Sequence, residues 1–184
     1  LKYVFVGHSH IDHIGLIPRL YKEGCTAPII TSHESVEFMP PLLIDSAFIM
    51  QRDIETLQRD KRIKKELTPL YEEQHVHMAI PHIRGYDVGK LYELDETVSF
   101  RFIPSGHITG GVQVILYIKK DTGNVVKILY TSDLGNAQLP KPFVTPFQAE
   151  PKANLVIGEA TYADKSRSIK KKQRVQDLDK IKTM

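Results

Sequence analysis

The chain has 184 residues, room for one domain and the beginning of another. It is 41% hydrophobic and 26% charged with a net charge of +3, an ordinary globular mix that is only mildly basic. A single cysteine, Cys25, excludes an internal disulfide and fits a reducing, cytoplasmic location, and no apolar run approaches the ~20 residues of a membrane span.

Leu1 to Val6 is apolar and rich in β-branched and aromatic side chains, which predicts a buried strand. A chain that opens inside a core strand is expected to have residues in front of it. Gly7-His8-Ser9-His10-Ile11-Asp12-His13-Ile14-Gly15 follows and reads H-x-H-x-D-H. Ile14, Leu16, Ile17, Leu20 and Tyr21 then recur at helical spacing. Pro18 lies early and Gly24 is a stop signal, so the pattern predicts a helix over residues 14–24. The motif is thus expected in the turn between a strand end and a helix start. Alternate residues leave an extended turn on one side, so His8 and His10 converge on one ion. Asp12 and His13 point elsewhere and suit a second ion nearby. Neutral imidazoles and carboxylates favour zinc, with bonds of roughly 2.0–2.2 Å.

Pro28 to Ser32 reads as a short strand, with a helix cap within Ser32 to Glu34. In the long helical region that follows, Leu43, Ala47, Met50, Ile54 and Leu57 form one apolar stripe. Lys61 to Lys65 is read as a solvated helix end. Thr68-Pro69 ends the region, and Glu72 to Ile80 reads as a shorter helix stopped by Pro81. His75, His77 and His82 lie there at spacings that suit no metal pair, and a structural or exposed role is expected for them.

From Lys90 the pattern changes to strands. Val98, Phe100 and Phe102 alternate with other residues. Val112 to Lys119 and Val125 to Tyr130 are two strands joined by a hairpin turn at Asp121-Thr122-Gly123-Asn124. Asn136 to Lys152 reads as an irregular connection and Leu155 to Gly158 as a short buried strand. The expected fold class is α/β, a layered αββα core. Two further segments offer ligands. In Pro104-Ser105-Gly106-His107-Ile108-Thr109-Gly110-Gly111, glycines flank His107, which is placed to complete a three-histidine set with His8 and His10. In Tyr130-Thr131-Ser132-Asp133-Leu134-Gly135, Asp133 follows a strand directly and suits a bridging carboxylate.

In this order, these motifs resemble the metal signature of the metallo-β-lactamase superfamily. The helical insert between residues 35 and 83, the two ligand segments and Gly158-Glu159-Ala160-Thr161-Tyr162 resemble its β-CASP branch of zinc nucleases, more the polyadenylation type than ribonuclease J. The resemblance implies a partial metallo-β-lactamase αββα sandwich over residues 1–158 and the start of a β-CASP domain over residues 159–184. It implies two zinc ions. His8, His10 and His107 would hold the first. Asp12, His13 and Asp133 would hold the second, with Asp133 shared between them. Asp12 would also take the proton of the attacking water, and Glu159 would orient a general-acid histidine lying outside this chain. Ala163 stands where the branch usually has glycine, and Lys165-Ser166-Arg167 where it often has Arg-x-His. The implied substrate is RNA ahead of DNA, with the basic run Lys165, Arg167, Lys170, Lys171, Lys172 and Arg174 as a phosphate contact. No membrane partner is implied, and a homo-oligomer stays open. Two alternatives remain at this point: another hydrolase on the same core, such as a thioesterase or lactonase, and a non-catalytic scaffold.

Overall fold

The computed structural model describes residues 1–60, 67–135, 143–150 and 152–161. The expectations for Lys61 to Lys65, for the basic run and for the second-domain segment beyond Thr161 lie outside the described residues.

Two sheets pack face to face. The first is parallel, in the order β1 (Val4–Phe5), β2 (Ile29–Ser32), β3 (Ile83–Tyr86). The second runs β4 (Leu91–Glu93), β5 (Val98–Pro104), β6 (Val112–Lys119), β7 (Val125–Tyr130), β8 (Leu155–Ile157). Its first three pairings are antiparallel and the last, β7 with β8, is parallel. Strand alternation assigns neighbouring residues to different layers. Ile29 packs with the helices, whereas Ile30 packs with Phe100, Phe102, Val112 and Val114 between the sheets. Phe5 meets the edge of Phe100 at 5.3 Å, an aromatic contact that joins the two sheets.

Four helices cover the parallel sheet: α1 (Ile11–Ile14), α2 (Ile17–Lys22), α3 (His33–Arg59) and α4 (Glu73–Ala79), the last continued by a 3₁₀ turn at Ile80–His82. Ser32 caps α3 by accepting the Ser35 N–H. The buried face of α3 is Ser35, Met39, Leu43 and Ala47, four residues apart. Met50, Ile54 and Leu57 continue the expected stripe but are only half-buried.

Two expectations need correction, and one strand lies where none is expected. The helix expected over residues 14–24 is two helices, broken at Gly15 and Leu16. Pro18 has no N–H to return to the Ile14 carbonyl, so a continuous helix would lack that bond. The first turn moves back to Ile11 and takes Asp12 and His13 onto a helix. The strand over Ile83–Tyr86 was not anticipated, because Gly85 interrupts its pattern. The glycine is there for space: a Cβ would lie 2.6 Å from His33 Nδ1 on α3. Lastly, β8 is not buried. Leu155, Val156 and Ile157 are 51%, 57% and 52% exposed, since among the described residues β8 is an edge strand paired with β7 alone. Ile103, Ile115 and Leu129 form a small outer cluster with Ala153. No helix among the described residues covers that face, so the layers seen are helix, sheet, sheet.

Strand direction decides where function can gather. β5, β7 and β8 run the same way, so all three end at one edge of their sheet. The end of β1 joins that edge where the Val112 N–H donates to the Gly7 carbonyl at 2.8 Å.

Candidate metal centre

Each candidate ligand leaves one of those strand ends. His8 and His10 follow β1, Asp12 and His13 lie on α1, His107 is in the β5–β6 connection, and Asp133 follows β7. The three loops interlock through glycines. The Gly135 N–H donates to the Ser105 carbonyl at 2.9 Å, and a Cβ on Gly135 would fall 1.5 Å from the Gly106 oxygen. Gly110 has φ +74° and its carbonyl accepts the Ser32 hydroxyl at 2.7 Å, tying the His107 loop to the start of α3.

The result is convergence. Ligand atoms of His8, His10, His107 and Asp133 all lie within 4.8 Å of one another. His107 Nε2 is 3.2 Å from His10 Nδ1 and 3.5 Å from Asp133 Oδ2. Tetrahedral zinc with bonds near 2.0–2.1 Å places its ligand nitrogens about 3.3–3.4 Å apart. The His10–His107 pair meets that spacing, and the wider pairs need only side-chain adjustment. Asp133 has one oxygen toward each half of the cluster. Oδ2 faces His107 and His8, the latter at 3.8 Å, while Oδ1 lies 3.3 Å from His13 Nε2. His13 Nε2 is also 3.6 Å from Asp12 Oδ2, so His13 stands between two carboxylates. Asp12 is the most open member, with 74% of its side chain exposed.

His8 tests whether a metal fits. Its ring is fully buried, and Nδ1 is 3.0 Å from the Ser132 hydroxyl. Nε2 is buried with no hydrogen-bond partner. An orphaned imidazole nitrogen is costly unless something else satisfies it, and here it faces a carboxylate and two histidines. Burial pushes the His8 imidazole down to about 3, with His13, His10 and His107 adding to the effect. It is therefore neutral at physiological pH, with a lone pair to offer. The donor set is imidazole and carboxylate, which fits zinc.

Glu159, which sequence spacing could not place, sits beside Asp133. Its Oε1 accepts the Leu134 N–H at 3.0 Å. A hydrogen bond from Thr161 and then the one from Leu134 hold its carboxyl below the usual carboxylate range. The other histidines stay apart. His75 accepts the Glu72 N–H in a capping box, His77 pairs with Glu73, and His82 packs against Tyr21. The Ser132 contact with His8 has no signal in the sequence, since nothing local marks a partner 124 residues away.

No family model matches the chain. It is 28% identical over 165 residues to Ribonuclease TTHA0252 of Thermus thermophilus, covering 88% of this chain and 32% of that protein. It is 26% identical over 164 residues to Transcription termination factor FttA of Methanocaldococcus jannaschii, covering 88% and 23%. The resemblance to the β-CASP branch of the metallo-β-lactamase superfamily is borne out. This chain spans about a third or less of either of these relatives. Among solved structures, the subclass B3 metallo-β-lactamase MEM-A1 from a soil metagenome library aligns with a TM-score of 0.42 and 24% identity, over 78% of this chain and 46% of that one.

Proposed function

We propose that this chain carries the catalytic core of a metal-dependent ribonuclease, a phosphodiester hydrolase that uses two zinc ions to activate water. The observation that carries the reading is the division of Asp133, with one carboxylate oxygen on the three-histidine half and the other on His13. A carboxylate placed between two sets of ligands can serve a paired-metal centre. His8, His10 and His107 would hold the first ion, and Asp12 and His13 the second, with Asp133 available to both. Bound there, zinc would supply a water of lowered pKa, about 7, and a counter-charge for a phosphate. Asp12, open to solvent, takes the proton of the attacking water. Glu159 holds the Leu134 backbone and so steadies Asp133 from the far side.

The RNA assignment is supported by the ribonuclease and termination-factor relatives, and it is favoured over a thioesterase, a lactonase or a scaffold. Residues 1–158 form the core in this reading, and residues 159–184 open a second domain whose basic run meets the RNA backbone. No described helix is long and apolar enough to cross a membrane, and a cytoplasmic site of action is proposed.

The test is His10→Ala in the full-length protein, assayed for RNA cleavage with zinc supplied. Loss of a ligand should cost several kcal/mol of transition-state stabilisation, or about 10³-fold in rate or more. Circular dichroism should be unchanged, since His10 is exposed. Cleavage at the wild-type rate would rule out the proposed centre.

A further inference from the structure

Ser132 has φ +51°, in the left-handed region that residues with a Cβ rarely enter. Its side chain is buried, 2% exposed, in the turn between β7 and Asp133. Glycine would meet this backbone demand without strain. Serine adds a hydroxyl, and the surroundings are arranged around it. Oγ lies 3.0 Å from His8 Nδ1. Across from it stands Gly7, where a Cβ would come within 2.2 Å of Oγ. The strained serine and the bare glycine together bring one hydroxyl against one ring nitrogen.

A neutral imidazole has one donor nitrogen and one acceptor nitrogen, and the partner of the first decides which is which. We propose that Ser132 is a positioning residue for the metal centre: His8 Nδ1–H donates to Ser132 Oγ, which fixes the tautomer and leaves the Nε2 lone pair directed at the ion. The buried, unpartnered state of Nε2 beside Asp133 Oδ2 fits this assignment. With the opposite hydrogen bond, hydroxyl to Nδ1, Nε2 would carry the proton and could not ligate. Ser132 also adjoins Asp133 in the chain, so one residue sets both a first-half ligand and the shared carboxylate. The inference rests on the metal-centre reading above.

Two variants of the full-length protein separate the hydroxyl from the backbone. Ser132→Ala keeps the Cβ and its strain but removes the oxygen. Ser132→Gly removes both. Zinc affinity is measured by competition with a chromophoric chelator, the ligand field by the visible spectrum of the cobalt-substituted protein, and folding by the Tm of the metal-free protein. Loss of an outer hydrogen bond to a metal-bound histidine typically weakens metal binding by about 10–100-fold. Both variants should show that loss and an altered cobalt spectrum, while metal-free Ser132→Gly melts close to wild type. Wild-type zinc affinity in both variants would overturn the proposal. So would a loss confined to Ser132→Ala, because the effect would then belong to the backbone. If the wild-type protein binds no zinc that His8→Ala removes, the metal-centre reading fails and this inference fails with it.

Discussion

The two halves of the candidate centre stand on different supports. His8 leaves a parallel strand, is fully buried and is held by Ser132. His107 sits in a loop anchored to the α3 cap on one side and to Gly135 on the other. Asp12 and His13 instead lie on a four-residue helix whose N-cap, His10, makes no side-chain capping bond. The first half is preorganised by its surroundings, and such a shell holds a metal well. In the second, Asp12 is open, with 74% of its side chain exposed, which suits a group that exchanges protons with water, whereas His13 is 19% exposed. Asp133 has an oxygen toward each.

That contrast can be broken by mutation. Asp133→Ala should have the largest effect, since it strips a ligand oxygen from each half: a rate loss of about 10³-fold or more in RNA cleavage, with zinc content falling at both positions. Retention of one full-strength zinc and a tenth of the activity would show that the carboxylate serves one half only. Asp12→Ala should cost about 10²-fold in turnover, the low end for a lost proton acceptor. Zinc held by the three histidines should be nearly unchanged by metal analysis. A drop to zero zinc would mean that the halves do not assemble independently.

Gly135→Ala probes the anchor itself. Its Cβ would press on the Gly106 carbonyl and the His107 backbone. Overpacking of this kind costs about 1–3 kcal/mol, read as a lowered Tm. The first-half zinc should weaken before the second, and an unchanged Tm would show that the loops part at no cost. Glu159→Ala should be the mildest. It removes an exposed carboxylate that accepts the Leu134 N–H and a hydrogen bond from Thr161, and loss of the Leu134 bond is worth about 1 kcal/mol, or about five-fold in rate. A loss beyond about 10²-fold would give Glu159 a direct part in the chemistry.

Much of this centre was legible from local pattern. The H-x-H-x-D-H run, the glycine-flanked His107 and Asp133 at a strand end name the metal-capable residues, because strand alternation and turn composition follow from covalent geometry over a few residues. The same local rules located β2, β5, β6, β7 and α3. They failed where distant packing decides. Gly85 reads as a strand breaker until α3 is seen lying against it. Leu155 to Ile157 reads as buried until the sheet ends there. The contacts between His10 and His107 and between His8 and Ser132 join residues 97 and 124 positions apart. The sequence by itself determined which side chains are capable of holding metal. Only the tertiary structure decided which ones meet, that Asp133 faces both halves, and that a strained serine touches His8. Those outcomes depend on how closely two loops can approach, and that is set by the glycines and strand ends of the whole sandwich.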